Sequence, residues 1–120
     1  MHIVITRPKE ESLNLISRLI KLGHSVTHLP VIKIIKLEVK KINFQDYEAV
    51  IFTSSNAIKY MDVEKFNYKI KCFCVGNATE STAKQFGFIN TFSSEGTVDS
   101  LIELVIRTVD NKSGKLLYLS

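Results

Sequence analysis

The stretch that decides the fold is residues 46–79, which read DYEAVIFTSSNAIKYMDVEKFNYKIKCFCVGNAT. Two apolar runs within it, 49–52 and 71–75, have the length and content of buried strands. Each run opens into a polar step where a helix should begin, at 53–57 (TSSNA) and at 76–79 (GNAT). In an open α/β sheet, ligands bind at the carboxyl ends of the strands. The two steps therefore predict a ligand site, and free helix N–H groups there suit an anion.

The rest of the chain repeats this rhythm of strand followed by helix. Short apolar runs bounded by turn residues indicate strands, and apolar residues at three- and four-residue spacing indicate helices. The predicted strands are 2–6, 25–29, 48–53, 71–75, 88–92 and 115–119, and the predicted helices are one between Pro8 and Gly23, 55–61, 78–86 and 98–108. The fold class is therefore α/β with parallel sheets.

One segment departs from this rhythm. In residues 31–42, apolar and charged residues roughly alternate, which is typical of a strand with one face in water. Such a segment fits a connector better than a central parallel strand, so we place a boundary near residue 35. Residues 1–30 and residues 48–119 should then belong to separate sheets.

Composition and charge limit the kinds of partner. The chain has 120 residues, 45% of them apolar, and a net charge of +4. No apolar stretch approaches the ~18 residues that span a bilayer, and no signal peptide precedes the first strand, so we expect a cytoplasmic protein that binds no membrane. The densest positive cluster fits a solvated edge or an attraction for a polyanionic small molecule better than a nucleic-acid site; it comprises Lys33, Lys36, Lys40 and Lys41.

Cysteines and histidines give no sign of a metal site. Cys72 and Cys74 are two residues apart, so on a strand they share one face. A disulfide between such neighbours would be strained, and no third cysteine completes a zinc site. We expect both to be small buried apolar residues. The three histidines lack metal-ligand spacing, and we expect no metal.

Several short motifs, in order, resemble the uroporphyrinogen-III synthase family. The opening Ile5-Thr6-Arg7-Pro8 is similar to the family's first strand end, and Tyr47 to Ala57 resembles its most recognisable stretch. Val75-Gly76-x-x-Thr79 looks like its glycine–threonine step. Further similar stretches are Leu29-Pro30-Val31-Ile32, Gly96-Thr97-x-x-Ser100-Leu101 and Gly114-Lys115-x-Leu117-Tyr118-Leu119. The resemblance covers essentially all 120 residues.

The resemblance implies two α/β domains joined by a two-stranded linker. Residues 1–35 would begin a discontinuous first domain, 36–42 would be a linker strand, and 43–120 would form most of the second domain. Members of this family are about twice as long as this chain, so we expect it to be an N-terminal part of the enzyme. We expect the 120 residues alone to be inactive.

The implied reaction closes the linear tetrapyrrole hydroxymethylbilane into uroporphyrinogen III, with loss of water and inversion of the terminal pyrrole ring. No cofactor is implied. The substrate carries eight carboxylates, which call for N–H and hydroxyl donors. The resemblance also implies a monomer at full length, and the shorter chain could self-associate through its unpaired sheet edge.

Candidate substrate-binding residues follow from the two polar steps and from the first strand end: Arg7, Thr53, Ser54, Ser55, Asn56, Gly76 and Thr79. Thr53, Ser54 and Thr79 also suit helix capping, Asn56 suits a turn, and Gly76 suits a tight strand-to-helix connection. Arg7 could contact a ligand, another domain or only solvent. Tyr118 is expected to pack in the core. The sequence identifies no catalytic acid.

Two other interpretations stay open. One is a non-catalytic α/β binding module of the receiver or flavodoxin-like type, although the acidic pair that a receiver needs is missing after the first strand. The Gly-x-Gly-x-x-Gly cluster of a nucleotide-binding unit is also missing. The other is a domain that folds but no longer turns over substrate.

Overall fold

The computed structural model describes residues 1–38, 42–61, 67–110 and 114–120. The chain divides into two compact units, Met1–Ile35 and Lys36–Ser120, which we call unit 1 and unit 2. Unit 1 holds a two-stranded parallel sheet and unit 2 a four-stranded parallel sheet. The predicted α/β class is confirmed, and so is the prediction of two separate sheets.

The segment between the two sheets is described only in part. Residues 31–38 and 42–43 belong to no helix or strand. Residues 39–41, which include Lys40 and Lys41 of the positive cluster, lie outside the described residues. The linker strand over 36–42 therefore stays a prediction, as does the division into a discontinuous domain beginning at 1–35 and a second domain over 43–120.

Unit 1 is a single β-α-β motif. Strand β1 (His2–Ile5) and strand β2 (Ser25–His28) pair in parallel, with His2 opposite Ser25. Helix α1 (Lys9–Lys21) has Pro8 at its N-cap position, and acidic residues in its first turn suit the positive end of the helix. Gly23 ends the helix region with φ 84°, a conformation that glycine adopts without strain.

Unit 2 is built on a sheet of four parallel strands. Its elements in chain order are a 3₁₀ turn (Phe44–Asp46), β3 (Tyr47–Phe52), α2 (Ser55–Lys59), β4 (Lys71–Val75), α3 (Gly76–Gln85), β5 (Thr91–Ser94), α4 (Val98–Thr108) and β6 (Lys115–Leu119). The spatial order of the strands is β5-β4-β3-β6. From β3 the chain thus steps outward to β4 and β5, and then returns to pair β6 on the other side of β3.

Two apolar clusters cover the two faces of this sheet. On one face, Val50 and Phe52 of β3 pack with Ile58 of α2 and Ala83 of α3. On the other face, Ala49 of β3 and Phe73 of β4 pack with Leu101 of α4 in a second cluster. The helices therefore lie on both sides of the sheet, as in doubly wound α/β folds.

The two cysteines lie in this core, as predicted. Cys72 and Cys74 are fully buried free thiols on β4, and their Sγ atoms are 3.7 Å apart. A hydrogen bond with Cys74, together with burial, raises the pKa of Cys72 above that of an ordinary thiol. Both side chains therefore act as small packing residues of the core.

The strand predicted over 88–92 is wrong in its position, because β5 begins at Thr91. Phe88 is buried before the strand starts, and its ring meets Phe52 and Tyr68 edge-on, each with centroids 5.7 Å apart. The apolar character that suggested a strand thus anchors a turn to the core. The second predicted helix is also shorter than expected, ending at Lys59 instead of residue 61.

Candidate functional site

The carboxyl ends of the four strands of unit 2 lie level along one edge of the sheet. Phe52 pairs with Cys74 on one side and with Leu119 on the other, and Val75 pairs with Ser94. The strands therefore end within about one residue of each other along this edge. The polar steps predicted at 53–56 and 76–79 follow two adjacent parallel strands, β3 and β4, as the sequence analysis expected.

The strand order places a topological switch point at this edge. The connection after β3 runs to one side of the sheet through α2, whereas β6, reached through α4 on the other side, pairs with the opposite side of β3. The strand order thus reverses between β3 and β6, and doubly wound folds bind ligands above the strand ends at such a point. We call this place, between the ends of β3 and β6, the switch-point crevice.

The first step, Thr53 to Asn56, lies at the switch-point crevice with its side chains half-buried. Ser54 is the N-cap of α2, and its Oγ accepts a hydrogen bond of 3.2 Å from the backbone N–H of Asn56. Ser55 and Asn56 form the first turn of this short helix. The capping interpretation therefore holds for Ser54. Thr53 does something else, because its Oγ1 lies 3.2 Å from the Tyr118 hydroxyl.

The second step is a tight connection from β4 into α3. Gly76 begins the helix with φ 76°, which glycine adopts far more readily than other residues. The N-cap residue, Val75, supplies no side-chain hydrogen bond, so the first N–H groups of α3 have no side-chain cap. Thr79 is the fourth residue of the helix and is only 6% exposed. It therefore does not cap the helix, and the capping interpretation of Thr79 is wrong.

A third step, to which the sequence analysis gave no role, stands beside the second. It follows β5 and contains Gly96, with φ 93°, and Thr97, which caps α4 by accepting from the N–H of Ser100 at 3.2 Å. A methyl group built on Gly76 would lie 3.8 Å from Gly96 Cα, so the two backbones approach closely. Ser93 also donates to Asn77 Oδ1 at 3.2 Å. The motif Gly96-Thr97-x-x-Ser100 was the available clue.

Arg7, the remaining candidate, belongs to unit 1. Its Nη2 lies 2.7 Å from Glu11 Oε2 one helical turn on, and its side chain is largely exposed. The structure therefore places five of the seven candidates along the edge of unit 2, buries Thr79 one turn into α3, and shows Arg7 in a local ion pair.

Tyr118 is exposed, and the prediction that it packs in the core is wrong. It was expected to pack in the core, yet it is 58% exposed and its hydroxyl meets Thr53 at the switch-point crevice. The reason lies in the layout of the sheet, since α4 packs chiefly on β4 and β5 and leaves this part of β6 open. Strand order cannot be read from the local sequence of a strand, so nothing in residues 115–119 indicated this position.

A cavity of about 290 Å³ opens at the outer side of the same edge, beside β5 and α4. Three serines, three charged side chains and one leucine line it: Ser93, Ser94, Glu95, Ser100, Glu103, Leu104 and Arg107. None of these is a predicted site residue. The cavity neighbours the third step, and the switch-point crevice lies on the other side of β4.

The chemistry available at this edge is that of neutral donors. Hydroxyls and backbone N–H groups predominate, and a carboxylate at the N-terminus of α3 would be stabilised by typically ~0.3–1 kcal/mol. Among the described residues, no group of three or more His, Cys, Asp and Glu side chains could hold a metal ion. No helix within the described part of the chain is long and apolar enough to cross a bilayer.

The fold is that of an α/β domain of the doubly wound class. Comparison with known families is more specific. The sequence model of the family described as uroporphyrinogen-III synthase HemD matches residues 14–120. Since this match covers most of the chain, the protein belongs to that family, and the resemblance noted in the sequence is confirmed.

A curated relative supports the same assignment. The chain is 28% identical over 107 residues to the porphyrin biosynthesis protein HemD of Ruminiclostridium josui. The aligned part covers 78% of this chain and 21% of the relative. The chain thus spans about one fifth of the length of the curated relative that it matches.

Proposed function

We propose that this chain contributes to a uroporphyrinogen-III synthase, which cyclises hydroxymethylbilane and inverts the terminal pyrrole ring. Membership of the HemD family supports this reaction class. The observation that carries the proposal is the arrangement of the strand ends of unit 2, where residues 53–56 follow β3 at the switch-point crevice and residues 76–79 follow the adjacent strand β4. The proposed substrate-binding set in unit 2 is Thr53, Ser54, Ser55, Asn56, Gly76 and Thr79; for Arg7 of unit 1, substrate binding is proposed separately, on the sequence resemblance alone.

The character of the edge suits a substrate rich in carboxylates. Carboxylates accept hydrogen bonds and donate none when ionised, and this edge supplies hydroxyls and the N–H groups of α3, which carry no side-chain cap. A net charge of +4 also favours the approach of a polyanion. The five residues of α2 make its dipole small, so hydroxyls contribute more than the helix dipole at the first step.

The proposed mechanism depends on positioning. Cyclisation joins the two ends of one flexible molecule, and holding reacting groups in the right geometry can supply a large part of a barrier reduction. Loss of the substrate hydroxyl as water breaks a C–O bond and takes up one proton, and the pyrrole carbon that forms the new C–C bond releases one proton. Hydroxyl donors placed along the edge can stabilise the charge that develops on the departing oxygen. We assign no single residue as the acid.

Thr53→Val in the complete gene product tests the proposal. Valine keeps the β-branched shape and removes only the hydroxyl, which we expect to contact a substrate carboxylate. A hydrogen bond to a charged group contributes roughly 1.5–3 kcal/mol, so kcat/KM for hydroxymethylbilane should fall about ten- to a hundredfold. Chromatography of the inverted and non-inverted macrocycles measures the product directly.

Thr108→Val is the matched control for this experiment. Thr108 is the last residue of α4, and its carbonyl oxygen lies 3.3 Å from Lys71 Nζ. Lys71 is the first residue of β4. Thr108 therefore lies near the amino ends of the strands, at the opposite edge of the sheet from Thr53. Turnover by this variant should equal that of the unmodified protein. If Thr53→Val also leaves affinity and turnover unchanged, the site assignment is wrong.

The wider proposals follow from the same assignment. We propose a cytoplasmic enzyme that uses no cofactor, binds no nucleic acid or membrane, and is monomeric in its complete form. The 120 residues alone should be inactive, because unit 1 buries little of its apolar surface. Tight binding of a linear tetrapyrrole by the complete gene product without any inverted product would favour the alternative of a non-catalytic binding module.

A further inference from the structure

The hydroxyls of Thr53 and Tyr118 form a pair at the switch-point crevice. They come from positions 65 residues apart in the sequence, and their oxygens are 3.2 Å apart. Thr53 follows the last residue of β3, and Tyr118 lies one residue before the end of β6. The pair therefore connects the two strands at the point where the direction of winding changes.

Core packing does not explain the tyrosine. Its side chain is 58% exposed, whereas its neighbours Leu117 and Leu119 pack against the core cluster on the other face. Phenylalanine would serve equally well for whatever contact the ring makes. What phenylalanine lacks is the hydroxyl, and the hydroxyl is the group that meets Thr53.

The direction of this hydrogen bond follows from the chemistry of the ligand. A hydroxyl has one donor hydrogen and two acceptor lone pairs. If Thr53 binds a carboxylate, its single hydrogen must point at the carboxylate, which has no hydrogen to give. Its bond with Tyr118 must then be one in which Tyr118 donates. Hydroxyls joined in such a chain polarise one another, which strengthens the outer bond.

We propose that Tyr118 is a positioning residue, which donates its phenolic hydrogen to Thr53 Oγ1 and so directs the Thr53 hydroxyl hydrogen toward a substrate carboxylate. This inference rests on the proposed function and adds to it a residue to which the sequence analysis gave no site role. Tyr118 acts through Thr53 and needs no contact of its own with the substrate.

A double-mutant cycle in the complete gene product tests this relay. Tyr118→Phe should lower kcat/KM for hydroxymethylbilane about three- to tenfold, the range for a neutral hydrogen bond. In the Thr53→Val background, the same change should have no further effect, because the hydroxyl that Tyr118 directs is gone. In the Thr53→Ser background, which keeps a hydroxyl, the loss on Tyr118→Phe should return.

This pattern separates positioning from a merely structural role. A structural defect would lower turnover by the same factor in all three backgrounds, and equal factors would overturn the relay. Tyr60→Phe, another change at an exposed tyrosine of unit 2, serves as the control and should leave kcat/KM unchanged. Thermal unfolding midpoints of all variants should agree within about 2 °C, since Tyr118 is largely exposed.

Binding keeps the test independent of turnover. Uroporphyrin III, a stable macrocycle with eight carboxylates, can be titrated against the same variants by its fluorescence. If the unmodified protein binds this probe but forms no inverted product, the proposed function fails. The double-mutant cycle is then tested with Kd for uroporphyrin III in place of kcat/KM, and Tyr118→Phe should raise Kd by the same factor expected for kcat/KM in each Thr53 background. Equal Kd for Tyr118→Phe and the unmodified protein, or no binding by either, would overturn the relay.

Discussion

The two units use the same β-α building block and bury very different amounts of apolar surface. Among the described residues, unit 2 buries twelve apolar side chains and unit 1 buries one, Ile5. This difference in burial follows from the number of layers packed together in each unit. The sheet of unit 2 has helices on both faces, whereas two strands and one helix give unit 1 a single thin layer of contact. A two-stranded sheet is marginally stable by itself.

Most apolar side chains of unit 1 are exposed. Leu13 and Ile20, members of the apolar stripe predicted for α1, are 55% and 56% exposed. The buried residue of this helix is instead Ser12, whose Oγ donates to the Pro8 carbonyl oxygen at 2.9 Å. The comparison teaches that a correct helix pattern does not create a core unless a second apolar surface faces it.

The largest expected effect comes from removing a ring in the centre of unit 2. Phe73 is fully buried on β4, and its ring stacks on Phe92 with centroids 5.1 Å apart. Phe73→Ala removes this contact and leaves a cavity, so it should lower the free energy of unfolding by about 3–5 kcal/mol. Urea unfolding followed by circular dichroism measures the loss.

Leu13→Ala is the matched change in unit 1. Because Leu13 is more than half exposed and alanine is a good helix former, the free energy of unfolding should change by no more than about 0.5 kcal/mol. A loss above about 2 kcal/mol would mean that the stripe of α1 is covered in solution, and the contrast between the units would then be wrong.

An intermediate effect is expected at the glycines with positive φ. Gly76→Ala places a side chain at φ 76°, and the left-handed conformation costs roughly 1–2 kcal/mol for a residue other than glycine. The new methyl has room, since its nearest neighbour is Gly96 Cα at 3.8 Å. Hydrogen exchange of the β4 amides should therefore report a loss of that size.

Gly23→Ala is the corresponding change in unit 1. The backbone there has φ 84°, and no atom lies within 4 Å of an added methyl, so the local strain should be similar. The exchange of the β4 amides should nevertheless stay as in the unmodified protein, because β4 belongs to the other unit. An equal acceleration of β4 exchange in both variants would contradict the expectation that strain in unit 1 leaves the stability of unit 2 unchanged.

Much of the fold was predictable from local pattern. The strands 71–75 and 115–119 and the helix 98–108 agree with the structure to the residue, because apolar runs and capping residues mark these elements locally. The strand at 88–92 was misplaced because Phe88 is apolar for a different reason, its contact with Phe52 and Tyr68. Burial in a turn and burial in a strand look alike in a short sequence.

The sequence predicted those parts of the candidate site that do not depend on which strands are neighbours in the sheet. The steps at 53–56 and 76–79 could be found because each follows its strand directly in the sequence. The third step at Gly96 and the pairing of Thr53 with Tyr118 depend on which strands are neighbours in space. That order is set by long-range packing, and a single strand's sequence does not encode it.

The smallest expected effect concerns charge on the surface of unit 2. Glu80 of α3 accepts hydrogen bonds from Lys84 one turn on, at 2.9 Å, and from Thr91 of β5, at 2.8 Å. These bonds favour the ionised carboxylate, and they hold the pKa of Glu80 below its ordinary value. A group with a lowered folded-state pKa stabilises the folded state most at pH values above its unfolded-state pKa.

The lowered pKa of Glu80 determines how its contribution to stability depends on pH. The contribution of Glu80 should be complete above the ordinary glutamate pKa of about 4.3, and should disappear as the pH falls below it through the lower folded-state pKa. Glu80→Gln should therefore lower the free energy of unfolding by less than about 1 kcal/mol at pH 7, since surface ion pairs contribute little. Near pH 3, the variant and the unmodified protein should be closer in stability.

Glu103→Gln separates the helix pair from the contact with the strand. Glu103 and Arg107 have the same spacing on α4 as Glu80 and Lys84 on α3, but their charged atoms are 3.9 Å apart and both side chains are highly exposed. Its replacement should change stability by an unmeasurable amount at either pH. If Glu80→Gln and Glu103→Gln have equal effects, the bond from Thr91 adds nothing, and α3 is held on the sheet by its apolar face alone.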